Sequence, residues 1–175
     1  MNISINGLDN TISHMKMLND NLLYKTSTLV AHLIQAGYEI ANYRFGIAQY
    51  DGINDVSLSM SFNGNTATLT ASGQAVLFIE FGSGITFTEE NPKAVELGFI
   101  RGKYGKGNGS KPSWVYVGEE GSEGSNGHFL RKTKDDQIVV RTKGNPPANA
   151  MYEASKNIRE KIILEAKEVL FSDRY

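Results

Sequence analysis

Glu80 is the residue of this chain best placed to do chemistry. It is the one acid in the apolar run 77–81, which leads directly into the turn Gly82-Ser83-Gly84. A carboxylate in such surroundings is costly to bury unless it accepts hydrogen bonds or stays at a solvated edge. Three roles are open: an edge-strand acid that blocks strand pairing, an acceptor for the N–H groups of the turn, or a catalytic acid. The structural roles are favoured, because no serine lies in a nucleophile-elbow pattern.

A basic, glycine-rich tract runs from Arg101 to Lys111. A phosphate-binding loop needs two glycines separated by four residues, then Lys and Ser or Thr, between a strand and a helix. The tract lacks that spacing, and Pro112 would interrupt a following helix. Nucleotide binding is therefore not supported. The basic side chains could instead contact DNA phosphates or acidic partner surfaces. The simplest interpretation is that these charged side chains are exposed to solvent and bind nothing.

The histidines do not form a recognisable metal site. His14 and His32 are 18 residues apart on one predicted helix, which corresponds to about 27 Å of helix rise. His128 follows a separate glycine-rich segment. The chain contains no cysteine, which excludes disulfides, thiolate zinc sites and cysteine nucleophiles. We therefore expect neither a metal nor a cofactor.

Length and charge limit the number of domains and the kinds of partner that the chain can have. The 175 residues suit a single domain, 1–175, and 40% are apolar, enough for a modest core. With 18 basic and 19 acidic residues, the net charge of −1 disfavours a dedicated nucleic-acid binder. The pattern of a signal peptide or membrane span is not found, so the cytoplasm is the expected place of synthesis.

Hydrophobic periodicity predicts two amphipathic helices that would position these residues. From Leu8 onward, apolar residues recur on one stripe over roughly 25 to 35 residues. Gly37 is expected to kink this helix or to divide it from a shorter one, Tyr38 to Ile47. The second helix is predicted from Ala148 to about Phe171, after prolines that suit a first turn.

Alternating and apolar runs predict the strands. Ile3 and Ile5 have strand character, and a meander is expected from three segments. Those segments are 56–62, 66–71 and 74–81, the first two joined by the hairpin signal Asn63-Gly64. A final pair of strands, which would close the sheet, is predicted at 129–131 and 137–142. Residues 82–127 are expected to form a long, mobile loop that is interrupted by one short strand at 114–117. The prediction is an α+β fold with an antiparallel sheet of about four to five strands packed by both helices.

Two segments of this chain resemble matching segments in the neck, head–tail joining and tail-completion proteins of long-tailed bacteriophages. In that family a strand ends in an acid, an aromatic residue and a Gly-Ser/Thr-Gly turn, and a proline-containing turn later leads into the last helix. The element order is similar over nearly the whole chain. The matching residues are Glu80, Phe81, Gly82, Ser83 and Gly84, then Gly144, Asn145, Pro146, Pro147, Ala150, Met151, Tyr152 and Ala154.

The resemblance implies a structural virion protein rather than an enzyme. It implies a homo-oligomeric ring, six-fold, that joins the connector to the tail tube at the head–tail junction, made in the host cytoplasm. Its near-neutral charge would suit a channel through which DNA passes, and no membrane is involved. The opposed hypothesis is a small hydrolase or toxin-like enzyme that uses Glu80 and His128. The expected interface residues are Glu80, Phe81, Gly82, Ser83, Gly84, Arg101, Lys103, Tyr104, Lys106, Lys111, Trp114 and Tyr116.

Overall fold

The fold is α+β, as the sequence predicts. The computed structural model describes residues 8–105 and 107–171, so the strand character expected at Ile3 and Ile5 lies outside the described residues. The helices are α1 (Leu8–Gly46), α2 (Val76–Phe81) and α3 (Ala150–Phe171). The strands are β1 (Ser57–Asn63), β2 (Thr66–Ser72), β3 (Trp114–Gly118), β4 (His128–Lys132) and β5 (Ile138–Thr142).

The long helix α1 is continuous over 39 residues, so the division into two helices expected at Gly37 is wrong. Gly37 is buried against α3, and a Cβ atom there would lie 2.7 Å from Cδ1 of Ile158. The glycine thus allows two helices to approach closely instead of ending one. The helices are antiparallel. Arg44 lies near the start of α3, 4.0 Å from Glu153, whereas Nζ of Lys25 donates to the carbonyl of Leu170 near its end.

The core lies where the helices meet the first hairpin. Strands β1 and β2 pair in antiparallel register with Asn63 opposite Thr66, which confirms the predicted hairpin. Gly64 begins its two-residue loop with a φ of 58°, a value that favours glycine. Partly buried Leu58, Leu69 and Ala71 of the hairpin pack against the buried cluster. That cluster consists of Ala41, Phe45, Ala75, Ile79, Ala150 and Ala154.

The segment predicted as a third meander strand, 74–81, is instead the short helix α2. Asp55 explains the change of direction: its carboxylate accepts the N–H groups of Gln74 at 2.7 Å and Ala75 at 2.9 Å. Those donors are therefore not available to a strand ladder. Ala75 and Ile79, four residues apart, then face the core. A short apolar run fits a buried helix or a buried strand equally well, and periodicity does not separate them.

Consequently there are two antiparallel sheets instead of one: β1–β2, and a three-stranded sheet in the order β3-β5-β4. The central strand β5 buries Ile138, Val139, Val140 and Thr142. The closing pair β4–β5 is confirmed, with Asp136 in its turn at a φ of 59°. The short strand predicted at 114–117 is also confirmed. It is β3, which forms one edge of this sheet.

Substitution of Gly37 tests the close approach of α1 and α3. Gly37→Leu should lower the free energy of unfolding by about 1 to 3 kcal/mol, because the new side chain must displace Ile158 from a packed contact. Gly46→Leu is the matched control, since a Cβ atom at Gly46 meets nothing within 4 Å. Urea denaturation measures both. Equal stability of the two variants would contradict the packing role of Gly37.

Substitution of Asp55 tests the turn into α2 through pH. The N–H groups of Ala75 and Gln74 hold the pKa of Asp55 below its ordinary value of 3.8. The stabilisation is therefore complete above pH 3.8 and is lost as the pH falls through the lower, folded-state pKa. Asp55→Ala should lower the melting temperature at pH 7, and the difference from wild type should shrink in strong acid. Asp135→Ala, at an exposed turn, is the control.

Candidate functional site

Glu80 caps the last helix from outside it. One carboxylate oxygen accepts the N–H of Met151 at 2.9 Å, and the other accepts the N–H of Tyr152 at 3.1 Å. Asn91 adds a third bond, from its side-chain amide at 3.0 Å. Because α3 begins at Ala150, these two backbone groups belong to the first turn, where intrahelical partners are lacking. A carboxylate is also favoured there by the helix dipole.

Two expectations for Glu80 are thereby corrected. It lies on a helix, so the edge-strand role is wrong. It does accept backbone N–H bonds, but from α3 and not from the turn 82–84. The side chain is only 5% exposed, and the hydrogen bonds compensate the cost of burying its charge. Sequence alone did not reveal these donors, since they are about 70 positions further along the chain.

The two segments that carry the phage resemblance pack directly on each other. Ser83 and Asn145 exchange both backbone hydrogen bonds, at 2.9 and 3.1 Å, and the Ser83 hydroxyl donates to the Asn145 side chain. The Asn145 amide also donates to the carbonyl of Phe78 at 2.9 Å. Gly82 is required at this crossing, because a Cβ atom would lie 2.9 Å from the Asn145 carbonyl oxygen and its φ is 75°. The two segments therefore form one structural unit around Glu80.

Beside this unit lies a partly open cavity of about 330 Å³, which we call the aromatic pocket. It is surrounded by side chains from α2, β3, β5 and the loops at 50–52, 83–84 and 102–109. Aromatic rings dominate its wall, together with small residues and one acid. The lining residues are Tyr50, Asp51, Gly52, Phe78, Ser83, Gly84, Gly102, Tyr104, Gly109, Trp114, Tyr116 and Thr142.

Asp51 supplies the negative charge of the aromatic pocket. Its carboxylate accepts the N–H of Asn126 at 2.6 Å and the hydroxyl of Thr142. Burial raises the pKa of Asp51, and the hydrogen bonds from Thr142 and Asn126 oppose that effect. Among the residues that the structure describes, it forms no ion pair. The pocket therefore carries a partly desolvated carboxylate whose hydrogen-bond donors are all neutral.

Burial also raises the pKa of the three tyrosines of the pocket, Tyr50, Tyr104 and Tyr116. Burial raises the pKa of Tyr116 to about 12, with a further increase from Asp51, and its hydroxyl donates to the Ser122 carbonyl. Burial raises the pKa of Tyr104 further still. The Tyr104 hydroxyl is buried, and within residues 8–105 and 107–171 it has no hydrogen-bond partner. All three phenols therefore stay neutral at physiological pH, and Tyr104 retains unused hydrogen-bonding capacity.

The structure brings together some of the predicted interface residues and separates others. Ser83, Gly84, Tyr104, Trp114 and Tyr116 all line the pocket. Glu80 and Gly82 are buried in the helix cap and the crossing, and the Phe81 ring stacks on Phe99 at 4.3 Å. The remaining ones belong to the basic tract: Arg101 donates to the Gly84 carbonyl at 3.2 Å, Lys103 and Lys111 are exposed, and Lys106 lies outside the described residues.

Sequence reasoning did not predict Tyr50, Asp51, Phe78 and Thr142 as pocket residues, nor the glycines at 52, 102 and 109. The contact between Asp51 and Thr142 spans 91 positions, so no local pattern indicates it. The histidines are dispersed, with His32 lying 3.6 Å from Glu165 while His14 and His128 are exposed. Across the described part of the chain, no group of three or more His, Asp or Glu residues is arranged to hold a metal ion. None of the described helices is long and apolar enough to cross a membrane.

The first 17 residues of α1 extend beyond the rest of the described fold. Helix α3 ends beside Lys25, whereas α1 begins 17 residues earlier, at Leu8. We call Leu8–Tyr24 the arm; at 1.5 Å per residue it extends by about 25 Å. Every residue of the arm is exposed. Its apolar stripe is formed by Leu8, Ile12, Met15, Leu18 and Leu22 at three- and four-residue spacing, with exposed fractions of 42 to 66%.

Comparison with protein-family models, with curated proteins and with solved structures finds no match to this chain. The resemblance to phage neck and tail-completion proteins therefore rests on the two segments that meet around Glu80 and Asn145.

Loss of the cap should destabilise the protein. Glu80→Ala leaves two first-turn N–H groups of α3 and the Asn91 amide without their acceptor. We expect the free energy of unfolding to fall by about 3 kcal/mol, since a hydrogen bond to a charged group contributes about 1.5 to 3 kcal/mol. Glu80→Gln keeps one acceptor oxygen and should lose less. Chemical denaturation gives the values, with exposed Glu89→Ala as control; unchanged stability of Glu80→Ala would refute the capping role.

Proposed function

We propose that this chain is a structural subunit of a long-tailed bacteriophage, a neck or tail-completion protein that forms a six-fold ring and joins the connector to the tail tube. The observation that carries the proposal is the arm, which extends a continuous apolar stripe away from the folded body. The packing of the two resemblance segments on each other supports the same assignment.

The arm continues a helix face that already packs against another helix. Where α1 packs in the folded part of the protein, this face carries the buried residues Leu33, Gly37 and Ala41. The stripe from Leu8 to Leu22 continues the same face along the arm. A large apolar surface on one side of a helix marks a site of protein association. The occupant that we propose is α3 of the neighbouring copy, which exposes Ile162, Ile163 and Leu164. Such a contact joins two different faces, as a ring requires.

Energetics favour a closed ring over an isolated pair. Fully burying an exposed aliphatic side chain contributes about 2 kcal/mol. The five residues of the stripe are 42 to 66% exposed, so burying the remainder offers about 5 kcal/mol. Association costs about 4 to 15 kcal/mol in lost freedom, so a single arm contact is marginal. In a ring each subunit makes this contact twice, once with its own arm and once with its own α3. Closure thus adds a contact with little further loss of freedom.

The hydrolase alternative has weaker support. Both oxygens of Glu80 accept backbone N–H groups of α3, which leaves the carboxylate committed to a structural role. His128 is exposed on β4. Under that hypothesis Glu80→Gln would abolish a measurable turnover while the fold persists. The assembly proposal predicts no turnover in either protein.

Charge substitutions on the arm test the proposal. Ile12→Glu, Met15→Glu and Leu22→Glu together should convert a six-fold multiple of the 19.3 kDa chain into monomer, because the stripe then cannot be buried. The variant should keep the far-ultraviolet circular dichroism of the wild type, since these side chains are exposed in the single chain and its fold does not depend on them. Native mass spectrometry and analytical ultracentrifugation, with and without tail-tube protein, measure the assembly.

The matched control uses the opposite side of the same helix. Met17 and Tyr24 are also exposed, at 60% and 72%, but lie away from the stripe. Met17→Glu with Tyr24→Glu should therefore leave the ring intact. A wild-type protein that stays monomeric at every concentration and beside tail-tube protein, or a stripe variant that still assembles, would refute the proposal.

A further inference from the structure

The aromatic pocket is built by the fold and is not a packing gap. Three of its glycines have positive φ values, 143° at Gly52, 79° at Gly84 and 71° at Gly102. Gly84 and Gly102 are also close to other parts of the chain. A Cβ atom at Gly84 would lie 3.1 Å from the Trp114 ring, and one at Gly102 would lie 2.9 Å from Ile85. Any side chain at either position would crowd the wall. The volume of about 330 Å³ is at the lower end of the range for ligand sites, which suits a small group.

Five aromatic rings from separate parts of the chain surround this space. Trp114 and Tyr116 are two residues apart on β3 and so point to the same face of the sheet. On another side Phe78 of α2 stacks on Tyr104, with ring centres 5.6 Å apart, and Phe99 supports Tyr104 edge-on at 5.7 Å. These contacts hold the rings in place. Tyr50, next to Asp51, completes the set.

The electrostatics of the pocket select for positive charge. Aromatic faces carry partial negative charge and attract cations. Asp51 adds a carboxylate that no described Lys, Arg or His pairs with. Arg101 bonds to the Gly84 carbonyl but does not line the pocket. A phosphate would be repelled here, and a neutral ligand would desolvate Asp51 without compensation.

We propose that the aromatic pocket binds an ammonium or guanidinium group, which lies against the aromatic faces and pairs with Asp51. The group comes either from a small free cation or from a Lys or Arg side chain of another protein segment. This binding is separate from ring formation, because neither the arm nor α3 contributes to the pocket. A failure of one proposal therefore leaves the other testable.

The single tryptophan of the chain reports on this site directly, since Trp114 lines the pocket. Titration with choline should change Trp114 fluorescence saturably, whereas the neutral isostere 3,3-dimethylbutan-1-ol should bind about tenfold more weakly or worse. A second titration compares the peptide Gly-Gly-Arg-Gly-Gly with the same peptide carrying citrulline in place of arginine. Citrulline has nearly the same shape as arginine but no charge. If only choline binds in a charge-dependent way, the ligand is a free cation. If the arginine peptide binds in a charge-dependent way, the ligand is a protein side chain. Either result supports the proposal.

Substitutions assign the binding to named residues. Asp51→Asn should weaken cation binding about tenfold, while Glu119→Gln, an exposed acid outside the pocket, should leave it unchanged. Because Asp51 also anchors Asn126 and Thr142, Tyr104→Leu provides a second variant that removes a ring and leaves the carboxylate in place. It should weaken binding by a similar factor. Equal affinity for charged and neutral probes, no binding of any probe, or full binding by folded Tyr104→Leu overturns the proposal.

Discussion

The bond between the Glu80 carboxylate and the first turn of α3 is the constraint on which the rest of the fold depends. Two conditions that are unfavourable alone become favourable together: a buried negative charge, and helix N–H groups without partners. Their pairing joins α2 to α3 across about 70 positions of sequence. The bridge between Ser83 and Asn145 lies next to it and holds the chain on both sides of the cap. Thus the two segments that resemble phage neck proteins act together as the joint between the helical layer and the three-stranded sheet.

This joint belongs to a packed body, outside which lie surfaces that the described chain does not bury. Within the body, α1 and α3 approach closely at Gly37, and the hairpin β1–β2 covers the cluster around Ile79. Outside it, the arm presents apolar side chains that the described chain does not bury. The aromatic pocket is different in kind, since its polar groups are partly desolvated and its walls are supported by ring stacking. We propose that the arm serves assembly and that the pocket recognises a cation, because exposed apolar area favours association whereas an enclosed carboxylate among aromatic rings favours a charged ligand.

Much of the secondary structure could be predicted because its signals are local. The stripe of α1, the periodicity of α3 and the Asn63-Gly64 hairpin each depend on neighbouring residues. Two predictions were wrong where a distant residue decides. Gly37 suggested the division of the helix, but the glycine lies inside a continuous helix, where Ile158 of α3 packs closely against it. Residues 74–81 suggested a strand, but Asp55 binds the N–H groups at their start and the core receives Ala75 and Ile79 as helix neighbours.

By itself the sequence determined the α+β class, the two long amphipathic helices, the hairpins and the importance of Glu80 and the turn after it, because spacing and turn chemistry act within a few residues. Only the tertiary structure decided what Glu80 binds, how the strands divide into two sheets and which residues enclose the aromatic pocket. Asp51 and Thr142 meet across 91 positions. Hydrogen bonding and desolvation depend on distance in space, and in this chain that distance is set by how α1, α2 and α3 pack.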